Sequence, residues 1–276
     1  MSILRSATRQ AIATLEQRRQ SLVGPGATAD QLAALADELY SVAGLLSSQS
    51  RLRRTLGDPA TSASSRVQLV SDLLSGKVGA NTLEVVAAAV EQRWSSPWDL
   101  TDALEASADD ALFAAADTQG VLGTVEDELF RFERVLEGAG ELTALLDERS
   151  ADTARRVGLL ESVLGGKVHP ITAALLRQAV RSDRKRSVTL AIDDLLEAAT
   201  TRQSQSLARV TSAVELTDQQ QQRLGTALSS LYDRPISIRT AIDPQVGGGL
   251  VVRVGDEVID GSIASRLIQA RIALVG

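Results

Sequence analysis

The chain has 276 residues, 44% hydrophobic but only 3% aromatic, enough for two or three cores built from Ala, Leu and Val packed at helical spacing. A net charge of −6 argues against a nucleic-acid binder, which needs surplus Lys and Arg to displace phosphate counterions. The lack of Cys excludes disulfides and thiolate metal sites.

No run approaches the roughly 20 apolar residues that span a bilayer, so no direct membrane insertion is expected. Met1 to Gln20 carries Arg5, Arg9, Arg18 and Arg19 around short apolar spots, unlike a signal-peptide core. From there an internal repeat organises the chain. Arg66-Val67 through Gly76-Lys77-Val78 to Ala89-Val90 returns about 90 residues later as Arg156-Val157 through Gly166-Lys167-Val168 to Ala179-Val180. Upstream, Asp37-Glu38-Leu39-Tyr40 answers to Asp127-Glu128-Leu129-Phe130 in the same register. Leu32, Leu35, Leu39, Val42 and Leu46 match Leu122, Val125, Leu129, Phe132 and Leu136. Steps of three and four place each set on one helix face that needs covering.

Breakers at Gly57-Asp58-Pro59, Ser75-Gly76, Ser96-Pro97, Gly138 to Gly140, Gly165-Gly166 and His169-Pro170 divide each copy into about six helices with short antiparallel connections. The first bundle is expected over 1–104 and the second over 105–204. Between them Asp99 through Asp117 contains no breaker, which predicts one continuous helix shared by both bundles.

After Ser204 the pattern changes to alternation, and a small α/β domain is expected over 205–276. Val210, Val214 and Leu216, with Ala208 and Ser212, predict one strand; Ile236, Ile238 and Ile242, with Thr240, predict another. Between them Thr217 and Gln220 form a capping box for a helix with a Leu224, Leu228, Leu231 stripe. Asp243-Pro244 and Gly247-Gly248-Gly249 form a turn, and Gly255-Asp256 joins Leu250–Val254 to Val258-Ile259 as a hairpin. Ser262 caps a predicted last helix with Ile263, Leu267, Ala270 and Leu274 on its apolar face. The fold class is therefore mainly α: two tandem bundles, then a strand-helix-strand-hairpin-helix module.

No catalytic, cofactor or metal site is expected. The triple glycine precedes a strand rather than a helix, unlike a dinucleotide loop. Gly76-Lys77 and Gly166-Lys167 are followed by Val, where a phosphate loop needs Ser or Thr, and helix capping explains both. His169 has no second His or Cys to work with and reads as a helix-start residue. The basic cluster from Arg181 to Arg186 lacks neighbouring aromatics, so a solvated loop or an acidic protein partner explains it better than nucleic acid.

Asp243, Gly248-Gly249-Leu250, Val252 to Asp256, Asp260-Gly261-Ser262 and Arg266-Leu267 together resemble the signature of the ATP synthase delta (oligomycin-sensitivity-conferring) family. Glu105 to Ser204 is similar to that family's helical domain, including Ala111-Leu112-Phe113 in its first helix, and the extra first copy resembles a long form with the bundle duplicated. The resemblance implies a non-catalytic stator subunit, one copy per complex, on the cytoplasmic face of the cell membrane. It implies a helical domain that binds α-subunit N-terminal segments of the catalytic head, and a C-terminal module that binds a b-type stalk. It also implies a partner groove at Leu112, Phe113 and Ala116 of the second copy's first helix and Leu176, Ala179 and Val180 of its fifth. A helical adaptor unrelated to ATP synthase is the alternative, and it leaves the C-terminal signature unexplained.

Overall fold

In the computed structural model of the protein, described for residues 6–23, 26–182, 187–205, 207–232, 236–255 and 257–262, the chain divides into two compact units, Met1–Leu196 and Glu197–Gly276. The first contains α1 (Ser6–Val23), α2 (Ala29–Ser48), α3 (Ser50–Gly57), α4 (Ala63–Leu74), α5 (Ala80–Glu91), α6 (Pro97–Thr118), α7 (Leu122–Gly138), α8 (Gly140–Asp147), α9 (Thr153–Leu164) and α10 (Pro170–Arg181). α11 (Val188–Gln205) crosses the boundary between the units.

The repeat is visible helix by helix, since α3, α4 and α5 recur 90 residues on as α8, α9 and α10 with identical lengths. All ten positions of the two predicted stripes on α2 and α7 are buried. α6 is one uninterrupted helix, as the missing breaker predicts, begun by the Ser96 cap and Pro97 at its first turn. It is both the sixth helix of the first copy and the first of the second, so position 104/105 falls inside it rather than in a loop. Eleven of its residues are buried, from Leu100 to Ala116. A helix apolar on most sides belongs at the centre of a bundle.

α1 lies parallel to α6 and is tied to it at both ends. The Thr8 hydroxyl donates to Asp99 at 2.6 Å, and buried Arg19 pairs with Asp110. α2 packs lengthwise on α6, with Tyr40 donating to Asp109 at 2.5 Å. Ala36, Ala43 and Ala103, all buried, supply the small side chains such close packing needs.

The repeat also preserves two polar clamps. In the first copy Glu38 of α2 accepts from the Gly79 N–H (2.9 Å) and the Thr82 hydroxyl; in the second Glu128 of α7 accepts from the His169 N–H (2.9 Å) and the Thr172 hydroxyl. A carboxylate thus meets the orphan donors and positive dipole end of α5 and of α10. Arg66 and Arg156, 3% and 4% exposed, donate to the Val90 and Val180 carbonyls at 2.7 and 3.0 Å, gripping the opposite ends of the same two helices. His169 begins α10, its ring Nδ1 accepting from the Ile171 N–H at 3.3 Å.

The second unit contains β1 (Leu207–Ser212), α12 (Asp218–Tyr232), β2 (Ser237–Ile242), a 3-10 turn at Pro244–Val246, β3 (Leu250–Val254) and β4 (Glu257–Asp260). The sheet order is β2-β1-β3-β4; β1 and β2 are parallel across α12, and β3 and β4 form an antiparallel hairpin. The expected capping box is present, with Thr217 N–H donating to Gln220 Oε1 at 2.9 Å and Gln220 N–H to Thr217 Oγ1 at 3.3 Å. Ala208, Val210, Leu228, Ile236, Val252 and Val254 form the core.

Three expected core positions are turned out. Val214 is 67% exposed because β1 ends at Ser212 and the chain bends away. Leu231 is 65% exposed because α12 presents Leu224, Gly225, Leu228 and Tyr232 to the sheet, with Gly225 letting the helix approach Ile238. Ile242, 60% exposed, ends the edge strand β2. The expected last helix, with Ile263, Leu267, Ala270 and Leu274, lies outside the described residues, as do Asp256, Arg266 and the 183–186 part of the basic cluster.

Candidate functional site

The α6–α10 pair, on which the expected groove residues sit, forms as a packed contact of the helical unit. Leu112, Phe113 and Ala116 of α6 and Leu176, Ala179 and Val180 of α10 are all buried, Ala179 being 7% exposed and the others 2% or less. Apolar positions at this spacing face the bundle interior and present almost no surface of their own.

A cleft of about 850 Å³ lies where α2, α6 and the end of α10 converge, and none of the six expected groove residues lines it. The α2 wall carries Asp37, Tyr40, Ser41, Gly44, Ser47 and Ser48; Trp98 and Glu105 come from α6, and Gln178, Arg181 and Ser182 from the end of α10. The first copy therefore supplies one wall of a cleft whose other wall belongs to the second. Gly44 faces open space, and its small neighbours keep that wall low.

Hydrogen bonds fix the cleft. Arg53 stacks on Trp98 with its guanidinium carbon 3.4 Å from the ring centroid and donates to the Leu46 and Ser47 carbonyls at 2.7 and 2.9 Å, closing the end of α2. The Ser182 hydroxyl donates to Glu105 at 3.1 Å, joining the end of α10 to α6. Burial, followed by the adjacent Asp109 carboxylate, holds the Tyr40 phenol well above its ordinary titration range, so it stays a neutral donor. In the second copy Glu133 of α7 shares a hydrogen bond with Asp193 of α11, and that contact, then desolvation, raises the Glu133 pKa. Sequence reading missed Arg53, Trp98, Glu105 and Ser182: Ser182 and Glu105 pair across 77 residues, and Arg53 binds backbone carbonyls and the Trp98 ring.

In the second unit the glycine signature has a steric basis. Gly247, Gly248 and Gly249 have φ of 68°, 134° and 80°, and Gly255 has 57°. A Cβ at Gly249 would stand 2.4 Å from the Gly261 carbonyl oxygen. The Gly261 N–H donates to the Leu250 carbonyl at 2.9 Å, so the triple-glycine turn and the Asp260-Gly261-Ser262 corner are two sides of one close backbone crossing. Ser262 N–H donates to Asp260 Oδ1 at 2.9 Å, and Asp243 N–H to the Ser212 carbonyl at 2.8 Å.

A duplicated helical bundle built on one shared central helix and followed by a small mixed sheet defines a mainly α protein with an appended α/β module. The family model for the ATP synthase delta (OSCP) subunit matches residues 109–274. ATP synthase subunit delta of Streptomyces griseus is 42% identical over 99% of this chain and 100% of its own, and that of Streptomyces coelicolor is 43% identical over 98% of each. ATP synthase subunit b-delta of Mycobacterium sp. strain KMS is 40% identical over 99% of this chain, which spans 61% of that protein. The chain belongs to the ATP synthase delta (OSCP) family. The family match begins within α6, and the full-length similarity to the Streptomyces proteins extends through the first copy as well.

Proposed function

We propose that this chain is the non-catalytic peripheral-stalk subunit of a proton-translocating ATP synthase, tying the catalytic head to the b-type stalk and resisting rotor torque. The observation that carries this reading is family membership over nearly the whole chain. In this account the helical unit holds α-subunit N-terminal segments over the α6–α10 pair. Leu112, Phe113, Ala116, Leu176, Ala179 and Val180 space the two helices from beneath, while Glu105, Gln178, Arg181 and Ser182 meet the segment. The C-terminal module holds the stalk, a pairing supported by a relative whose name joins b and delta in one protein.

Holding two partners through one chain raises each weak contact by effective concentration. One copy per complex, on the cytoplasmic face of the cell membrane, follows from this role; no described helix is long and apolar enough to cross a membrane. Calorimetric titration of the chain with catalytic heads tests it. Saturable binding that disappears when the α N-terminal segments are removed supports the assignment, and no binding to intact heads refutes it.

A further inference from the structure

The cleft between α2, α6 and the end of α10 holds charges of opposite sign that do not pair with one another. Asp37 lines it from α2, Glu105 from α6 and Arg181 from the end of α10. Arg181 forms no ion pair with either carboxylate, and among the described residues the side chains of Asp37, Gln178 and Arg181 have no hydrogen-bond partner. Helix spacing puts Trp98, Thr101 and Glu105 on one face of α6 at i, i+3 and i+7. Thr101 is fully buried, and its Oγ1 has no hydrogen-bond partner among the described residues. Unused hydrogen-bonding capacity gathered beside one cleft is a mark of a polar ligand site.

The volume of about 850 Å³ falls within the roughly 300–1,000 Å³ of small-molecule sites. Two carboxylates to one guanidinium set the charge pattern, so the complementary ligand carries two cationic groups and one carboxylate. The other lining groups are neutral: the Tyr40 phenol, the Gln178 amide and the hydroxyls of Ser41, Ser47, Ser48 and Ser182.

We infer that this cleft binds a basic α-amino acid, arginine or lysine, with its carboxylate on Arg181 and its two cationic groups on Asp37 and Glu105. The guanidinium of Arg181 meets a carboxylate in a planar, two-pronged contact. Glu105 accepts from the Ser182 hydroxyl at 3.1 Å and keeps further lone pairs for a cation. The methylene stem of the ligand lies along Trp98 and the low wall at Gly44. A ligand held in this way ties α2 of the first copy to the end of α10 of the second, so its binding couples the two copies. The inference does not rest on the stator reading, although Glu105, Gln178 and Arg181 serve both, and its test contains no ATP synthase component, so either can fail alone.

The chain has two tryptophans, which supply a reporter and an internal reference. Trp98 lines the cleft, whereas Trp94 is 4% exposed with its indole N–H bonded to the Ala89 carbonyl at 2.8 Å. The full chain is titrated with arginine at constant ionic strength while the two indole N–H signals are followed by NMR. Arginine should shift the Trp98 signal saturably and leave Trp94 in place. Agmatine, which has the same side chain without the carboxylate, should bind about tenfold more weakly, and glutamate should move neither signal. Arg181→Gln should bind arginine and agmatine alike. Gly44→Leu, which fills the low wall, should lose the Trp98 shift while melting no lower than the parent, because leucine suits a helix interior better than glycine. No saturable shift at Trp98, an equal shift at Trp94, equal binding of arginine and agmatine, or a preference unchanged in R181Q would overturn the inference.

Discussion

Replacing Arg66 by Ala probes the best-defined polar element of the helical unit. The guanidinium donates to the Val90 carbonyl at 2.7 Å, to Asp58 and Thr61 in the loop before α4, and to Glu91 and Gln92 at 3.2 Å each. It therefore caps the C-terminal end of α5 and holds the preceding loop to it. Only the Val90 bond is fully buried, and losing that partner leaves an unsatisfied carbonyl at a cost of about 1–3 kcal/mol. The other four carbonyls regain water in part, and the lost stem leaves a small void, so the total comes to about 3–5 kcal/mol. Arg66→Lys keeps the charge but offers a point donor in place of a five-donor fork, so it should recover less than half of that loss. Equilibrium urea unfolding followed by far-UV circular dichroism reads the helical unit. A loss below about 1 kcal/mol for R66A, or full rescue by R66K, would refute the claim that a planar donor fork organises this corner.

Other perturbations follow from the same geometry. Gly249→Ala, at φ 80° and facing the Gly261 oxygen, should cost the C-terminal unit about 2–4 kcal/mol, seen as faster hydrogen exchange over 207–262 with the bundles unchanged. Because the Tyr40 pKa is raised on folding, its stabilising contribution is fully present below the unfolded value of about 10 and is lost as pH climbs through the higher folded value. Thermal melts of Tyr40→Phe should therefore lose less stability than the parent in that alkaline window, and identical pH dependence would contradict it. Glu133, also raised, contributes stability below about pH 4.3 that is lost as pH rises. Glu133→Gln, which still donates to Asp193, should gain about 0.3–0.8 kcal/mol at neutral pH by urea titration, a modest effect because the site is partly solvated.

The helical half of the fold was largely legible because its signals are local and repeated. Stripes at Leu32 to Leu46 and Leu122 to Leu136, and the unbroken run Asp99 to Asp117, translate directly into α2, α7 and α6. In the C-terminal unit, Leu224 and Leu228 of the expected α12 stripe do pack on the core, but Leu231 does not, because the helix approaches the sheet through Gly225, which has no hydrophobic side chain to reveal it. The polar parts were less legible. Glu38 and Arg66 appear in the sequence as members of a repeat, but only the fold shows that one meets the start of α5 and the other its end. The expected groove residues were found by analogy, and the structure places all six in the interior of the helical unit.

A three-component sedimentation experiment tests the central claim most directly, using catalytic heads, a soluble b-type stalk fragment and the full chain. The account predicts that heads and stalk co-sediment only when the chain is present, and that residues 1–196 and 197–276 supplied as separate pieces do not replace it. Co-sedimentation of heads and stalk without the chain, or its failure when all three are mixed, would contradict the bridging role.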